Sequence, residues 1–232
     1  MEQVLDVIRI QTINWRFRVA VPLGLLAVVF GINYALFVAL GDPAPPGGWT
    51  TGAVMSVYSA VFGTYLQTMT QLFPFALGLG VTRRAFYAGV ALLVAVESVA
   101  YGVLLTALSR IEVAAGGWGI DMSFFALEFL RRDDPVTQVL VFAAPFAVLS
   151  MAATVMGLVF KRWGALGVWA VLIALIAVVG GAAVLITWRS AWPAVGTWFA
   201  GQPLLALTTG YPLVLAVLLG GLGWLAIRRA TP

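Results

Sequence analysis

Acid–base and nucleophilic catalysis draw most often on histidine and cysteine, and this chain of 232 residues has neither. Without His there is no imidazole to activate a serine and no ligand of the commonest kind for a catalytic metal. Without Cys there is no thiolate and no disulfide. The single lysine, Lys161, stands between Phe160 and Arg162 instead of after a glycine-rich turn and before Ser or Thr, so a phosphate-cradling P-loop is excluded. Intramembrane proteolysis by paired aspartates would need two Asp inside apolar helices, and Asp6, Asp42, Asp121, Asp133 and Asp134 all fall between the apolar runs. The sequence therefore assigns no catalytic, cofactor-binding or metal-ligating residue.

What remains is polar chemistry embedded in apolar surroundings. Glu97 lies inside a long apolar run, eleven positions after Phe86, or about 16 Å along a helix. Facing lipid as an ion there would cost several kcal/mol. It must face a bundle, a cavity or a partner, and two readings stand: a substrate or proton site, or a carboxylate bonded to a neighbouring helix through Tyr101 or the polar face of the preceding run. That face carries Ser56, Ser59, Gly63, Gln67, Thr70 and Gln71, spaced to share one side of a helix. It either meets another helix through hydrogen bonds or borders a pathway. Glu97, Gln67, Thr70 and Gln71 are the candidate pathway residues.

The elements that must position these groups follow from composition. Residues are 62% hydrophobic and 9% charged, with a mean hydropathy of +1.02, whereas soluble domains are about a quarter charged. The apolar residues cluster in runs near 19–40, 54–79, 86–108, 136–160, 165–187 and 209–227, each close to the ~20 residues that cross a bilayer as a helix. Pro43, Pro45, Pro46, Gly47 and Gly48 separate the first two runs. The expectation is an all-α integral membrane protein of six transmembrane helices in one domain, 1–232. Basic residues sit at the ends of runs instead of forming a nucleic-acid-binding stripe. With the N-terminus inside, Arg9, Arg16, Arg18, Arg83, Arg84, Lys161, Arg162, Arg228 and Arg229 are cytoplasmic, and Arg110, Arg131, Arg132 and Arg189 external. This nine-to-four division of the thirteen cations favours both termini inside. The mixed charges of 1–18 and the length of the following run differ from a cleavable signal, so the first span is expected to be retained.

Three segments are too polar or too broken to span. Residues 1–18 place Val4, Leu5, Ile8 and Trp15 on one side of a helical wheel and Glu2, Arg9 and Arg16 on another, as in a cytoplasmic interfacial helix. Within the external loop 109–135, Asp121 is a candidate N-cap for an amphipathic helix reaching Arg132. The stretch 188–208, with Trp188, Trp192, Trp198, Pro193 and Pro203, reads as an external re-entrant element.

The loop between the second and third runs reads Gly80-Val81-Thr82-Arg83-Arg84-Ala85-Phe86-Tyr87-Ala88-Gly89. At Gly80, Thr82, Arg83, Arg84, Phe86, Tyr87 and Gly89 it resembles the Gly-x-Thr/Ser-Arg-Arg-x-Phe-Tyr-x-Gly pattern of the type-2 ABC exporter (ABC-2 type) permease family. The resemblance implies a coupling helix over 80–86, with Val81, Thr82, Arg83, Arg84 and Phe86 docking on a separate ATPase. It also implies six spans with both ends inside, an N-terminal interfacial helix and external re-entrant helices. The external helix of 121–132 is additional to that pattern.

The expected function is thus a permease subunit of an ATP-driven exporter in the plasma or inner membrane. Its partners would be cytoplasmic ATPase chains, which carry the ATP and Mg, a second identical or homologous permease, and lipid. The cargo would be hydrophobic or amphiphilic. The alternatives are an ATP-independent secondary transporter centred on Glu97 and a non-transporting membrane scaffold.

Overall fold

The computed structural model describes residues 7–8, 15–41 and 48–228. The described chain is all-α apart from one two-residue strand pair, and four of its helices are long and apolar enough to cross a membrane. Helix α1 (Trp15–Leu40) opens four positions before the apolar run and so absorbs 15–18 from the expected interfacial helix. Apart from Val7 and Ile8, which are helical, the rest of that helix lies outside the described residues. Strand β1 (Trp49–Thr50) follows the described chain's return at Gly48.

Helix α2 (Met55–Gln67) continues through a π turn (Thr68–Leu72) into α3 (Phe73–Gly78). The cause is local. Pro74 has no N–H and its ring would crowd the carbonyl four residues back, and the widened turn, in which the Phe73 N–H donates to the Thr68 carbonyl, accommodates it. Helix α4 (Arg83–Ala114) runs 32 residues, about 48 Å, and so outlasts ~30 Å of hydrocarbon. Strand β2 (Met122–Ser123) pairs parallel with β1, with Trp49 opposite Met122 and Thr50 opposite Ser123.

Helix α5 (Pro135–Trp188) begins on Asp134, whose carboxylate accepts from the Thr137 N–H at 2.7 Å and the Thr137 hydroxyl at 2.6 Å. These bonds hold the Asp134 carboxyl below the usual carboxylate range. Its 54 residues would extend about 81 Å if straight. They do not form one rod: Gly164 takes φ 65°, ψ −158°, a conformation open only to glycine. Helix α6 (Trp192–Gly201) occupies the broken stretch expected over 188–208 and ends at Gln202-Pro203. A second π turn (Ala206–Gly210) leads into α7 (Tyr211–Ile227), and again a proline, Pro212, stands two residues beyond it.

The core lies among α2, α3, α4 and the first half of α5. Tyr58 and Tyr101 bracket Phe146 with ring centroids 4.1 Å and 4.8 Å away, and Phe73 packs on Phe86 at 5.2 Å. Gly157 brings α5 against the π turn, since a Cβ there would collide with Met69. The second half of α5 is peripheral: Leu166, Ile176 and Val178 are 82%, 71% and 69% exposed. Surface that apolar requires lipid or another chain around it.

Candidate functional site

A largely buried ion pair joins three helices. Glu97 on α4 receives the Arg18 Nε at 2.6 Å on Oε1 and the Arg18 Nη2 at 3.3 Å on Oε2, and the Tyr65 hydroxyl donates to Oε2 at 2.7 Å. The Arg18 guanidinium also lies 4.7 Å over the Tyr65 ring. Arginine suits this place because its planar fork meets both carboxylate oxygens while its face stacks on an aromatic ring. Tyr65 is fully buried, and Arg18 and Glu97 are mostly so. Both oxygens of Glu97 are therefore engaged by side chains from α1 and α2. Tyr101 stacks on Phe146 and makes no bond to Glu97.

The pairing also relocates Arg18. Glu97 lies fourteen positions after Arg83, about 21 Å along α4. A residue counted from sequence among the charges of one membrane face thus sits well inside the bundle, away from the level of Arg83 and Arg84.

A second carboxylate organises the opposite end of α4. Glu112, 1% exposed, accepts from the Trp118 Nε1 at 2.7 Å and from the backbone N–H groups of Phe124, Phe125 and Ala126 at 3.0, 3.1 and 2.8 Å. This overturns the amphipathic helix expected over 121–132. Three successive backbone donors converge on one carboxylate, and two of them, Phe125 and Ala126, would have been paired inside a helix capped by Asp121, so the segment is β2, an extended turn and a single 3-10 turn at Glu128–Leu130. Glu112 on the Trp118 ring and the Trp49 N–H on the Asp121 carbonyl hold Trp118 and Asp121 at φ 61° and 56°, a region other residues avoid unless their surroundings fix them. Phe124, Phe125 and Trp118 then pack on Phe30 of α1. Gln138 closes the segment, accepting from the Arg132 N–H at 2.6 Å. The loop also begins later than expected, since α4 continues to Ala114.

At the end bearing Arg83, the predicted coupling residues divide into two groups. Thr82 caps α4, its hydroxyl accepting from the Ala85 N–H at 3.3 Å. Arg83 and Arg84 are therefore the first turn of a 32-residue helix instead of a separate short one. Thr82 and Arg84 are exposed and Arg83 half-buried, with its Nη1 donating to the Arg228 carbonyl at 3.4 Å. Val81 and Phe86 are buried and face inward. Tyr87 ties the same turn to α7 through its hydroxyl on the Gly220 carbonyl at 2.7 Å.

The polar face of the second run is not brought to Glu97. Val57, Val61, Tyr65, Met69 and Phe73 form the buried side, whereas Ser59, Gly63, Gln67 and Gln71 are exposed and Thr70 half-buried. The hydroxyls of Ser59 and Thr70 return to their own helix, on the carbonyls of Met55 and Leu66. Sequence reasoning missed Arg18, Tyr65 and Glu112. Tyr65 was within reach, being four positions from Val61 and Met69 on the apolar side; Glu112 carried no local signal.

Among the described residues, no three acidic side chains come close enough to hold a metal ion. Compared with known proteins, the chain matches no family model, no curated sequence and no solved structure.

Proposed function

We propose that the chain is the membrane-spanning permease subunit of an ATP-driven exporter, energised by separate ATPase chains. The reading takes six passes, with α2 and α3 as one and α5 as two that turn back at Gly164, both termini cytoplasmic, and α6 re-entrant from the outer face. The observation that carries it is the Thr82-Arg83-Arg84 turn. It presents Thr82 and Arg84 outward while Phe86, against Phe73, and Tyr87, on Gly220, fasten it to α3 and α7. A docking surface that transmits movement must be anchored in this way on the elements it moves. Val81 and Phe86 serve as anchors in this scheme, leaving Thr82, Arg83 and Arg84 for the partner.

A secondary transporter centred on Glu97 would need that carboxylate open to a pathway, and its engagement by Arg18 and Tyr65 supports a structural role instead. The cargo class in keeping with so few charges is hydrophobic or amphiphilic. The test is copurification: the full chain should carry a cytoplasmic P-loop ATPase with it, and Arg83→Glu with Arg84→Glu, which leaves the Thr82 cap in place, should release that ATPase without changing the permease's yield or monodispersity. Retention of the ATPase and of ATP-driven transport in that double variant would remove the docking assignment.

A further inference from the structure

The two halves of α5 meet at Lys161-Arg162-Trp163-Gly164. Among the described residues, neither cation has a carboxylate partner or a hydrogen bond. The Arg162 guanidinium lies 4.5 Å over the exposed Trp163 ring, a stacking that orients its plane and leaves its N–H edge free. No counter-charge stands at that end of the bundle: of the described acids, Glu112, Asp121, Glu128, Asp133 and Asp134 belong to the opposite end, and Glu97 is held by Arg18. A groove of about 600 Å³ begins beside the two cations, lined by Trp163, Leu166, Gly167, Ala170, Val171 and Ala174. Gly167 shapes its mouth, because a Cβ there would collide with the Trp163 Cβ. Ala174 lies ten positions after Gly164, about 15 Å along the helix, which is half of ~30 Å of hydrocarbon. In the membrane placement proposed above, the groove therefore reaches from the cytoplasmic surface to the midplane.

We infer that the groove and the Lys161–Arg162 pair form a site for one anionic phospholipid of the cytoplasmic leaflet, its phosphate on the two cations and one acyl chain against Gly167, Ala170 and Ala174. The chemistry matches at both ends. A guanidinium edge meets phosphate oxygens in pairs, the ammonium adds a point charge, and anionic headgroups attract each Lys or Arg held at their level. An acyl chain of one leaflet ends at the midplane, as the groove does, whereas a partner's helix would continue across the whole thickness. Such a helix would also have to bring carboxylates to the headgroup level to satisfy the cations. From Leu166 to Ile186 it would find no polar side chain to bond except the Trp169 indole, and apolar side chains are as well solvated by lipid as by protein. A lipid seated here pins the Gly164 turn at the depth of the headgroups.

The site rests on the membrane placement proposed above and not on the ATPase, whose copurification is scored separately, so either reading can fail alone. For the test, the full chain in mild detergent is mixed with equal amounts of phosphatidylglycerol and phosphatidylcholine of the same acyl chains and read by native mass spectrometry. One phosphatidylglycerol retained per chain is expected, preferred about five- to thirtyfold over phosphatidylcholine, as one or two cations beside an anionic headgroup would give. Lys161→Gln with Arg162→Gln should abolish the preference, whereas Arg83→Gln with Arg84→Gln, an equal loss of charge elsewhere, should keep it. The swap Lys161→Arg with Arg162→Lys guards against a folding defect at the turn and should also keep it. Ala170→Phe with Ala174→Phe, which fills the groove and leaves both charges, should release the lipid with helicity unchanged by circular dichroism. Glycerol phosphate, the headgroup chemistry without chains, should not displace it. Equal retention of the two lipids, loss of preference in the Arg83–Arg84 variant or in the swap, full retention in the filled groove, or displacement by glycerol phosphate would each overturn the proposal. So would a lipid-free dimer that only the groove-filling variant dissociates, because a second chain would then be the occupant.

Discussion

At the scale of single residues, the Arg18–Tyr65–Glu97 group decides how the first three long segments hold together. Burying one charge without its counter-charge is the expensive state, whereas removing both leaves only a packing problem. Arg18→Ala or Glu97→Ala alone should therefore destabilise the protein by about 3–5 kcal/mol, seen as a lowered unfolding temperature in detergent. The double variant Arg18→Met with Glu97→Met should lose much less than the sum. Strict additivity of the single effects would mean that the pair contributes nothing as a pair. Glu97 was recognisable in the sequence as an acid needing a partner, because hydrocarbon around a carboxylate leaves few alternatives. Arg18 was not, since a cation at the edge of an apolar run has topology as its default meaning and the pairing spans 79 positions. The depth at which α1 meets α4 exists only in the assembled bundle.

At the scale of elements, the helices were legible because about twenty apolar residues in a row have one stable arrangement in a membrane. Their irregularities were half legible. Pro74 and Pro212 announce a disturbed turn, but that both settle into a π turn two residues earlier depends on the neighbouring helices. The segment 115–130 shows where local pattern loses to tertiary contact: Asp121 followed by Ser123-Phe124-Phe125-Ala126-Leu127-Glu128 has the residues of a capped amphipathic helix, yet Glu112, nine positions earlier, takes the backbone donors first. Glu112→Ala should release that segment. Charged hydrogen bonds contribute about 1.5–3 kcal/mol each, so the loss of several should expose the amides of Phe124, Phe125 and Ala126 to fast hydrogen exchange and shift Trp118 fluorescence to the red. Glu112→Gln, which keeps a single acceptor carbonyl, should fall between the two. If exchange at Phe124–Ala126 were as slow in Glu112→Ala as in the parent, the carboxylate would not be what shapes the loop.

At the scale of the molecule, the two ends of the bundle differ in kind. One is sealed by the strand pair, the Glu112 loop and the aromatic cluster on Phe30; the other presents Arg84, the Thr82 cap and the Arg228 carbonyl beside Arg83. Such asymmetry has a direct consequence for labelling if the chain turns back at Gly164. Passage through α5 as two segments brings Lys161 to the side of Arg84, and Ser190 to the side of Glu128. Single-cysteine variants at Arg84 and Lys161 should then react with a membrane-impermeant maleimide only from the cytoplasmic side of sealed vesicles. Those at Glu128 and Ser190 should react only from the outside. Reaction of Lys161→Cys and Ser190→Cys from the same side would mean that 165–188 does not cross, and the count of passes would drop to five with the termini on opposite faces. Gly164→Val offers an independent check on the same turn, because a β-branched side chain at φ 65° and ψ −158° is held at a strain of about 1–3 kcal/mol. In that variant the labelling of Ser190→Cys should become mixed between the two sides, which places the origin of the sidedness in the backbone at Gly164 and not in the charges of Lys161 and Arg162.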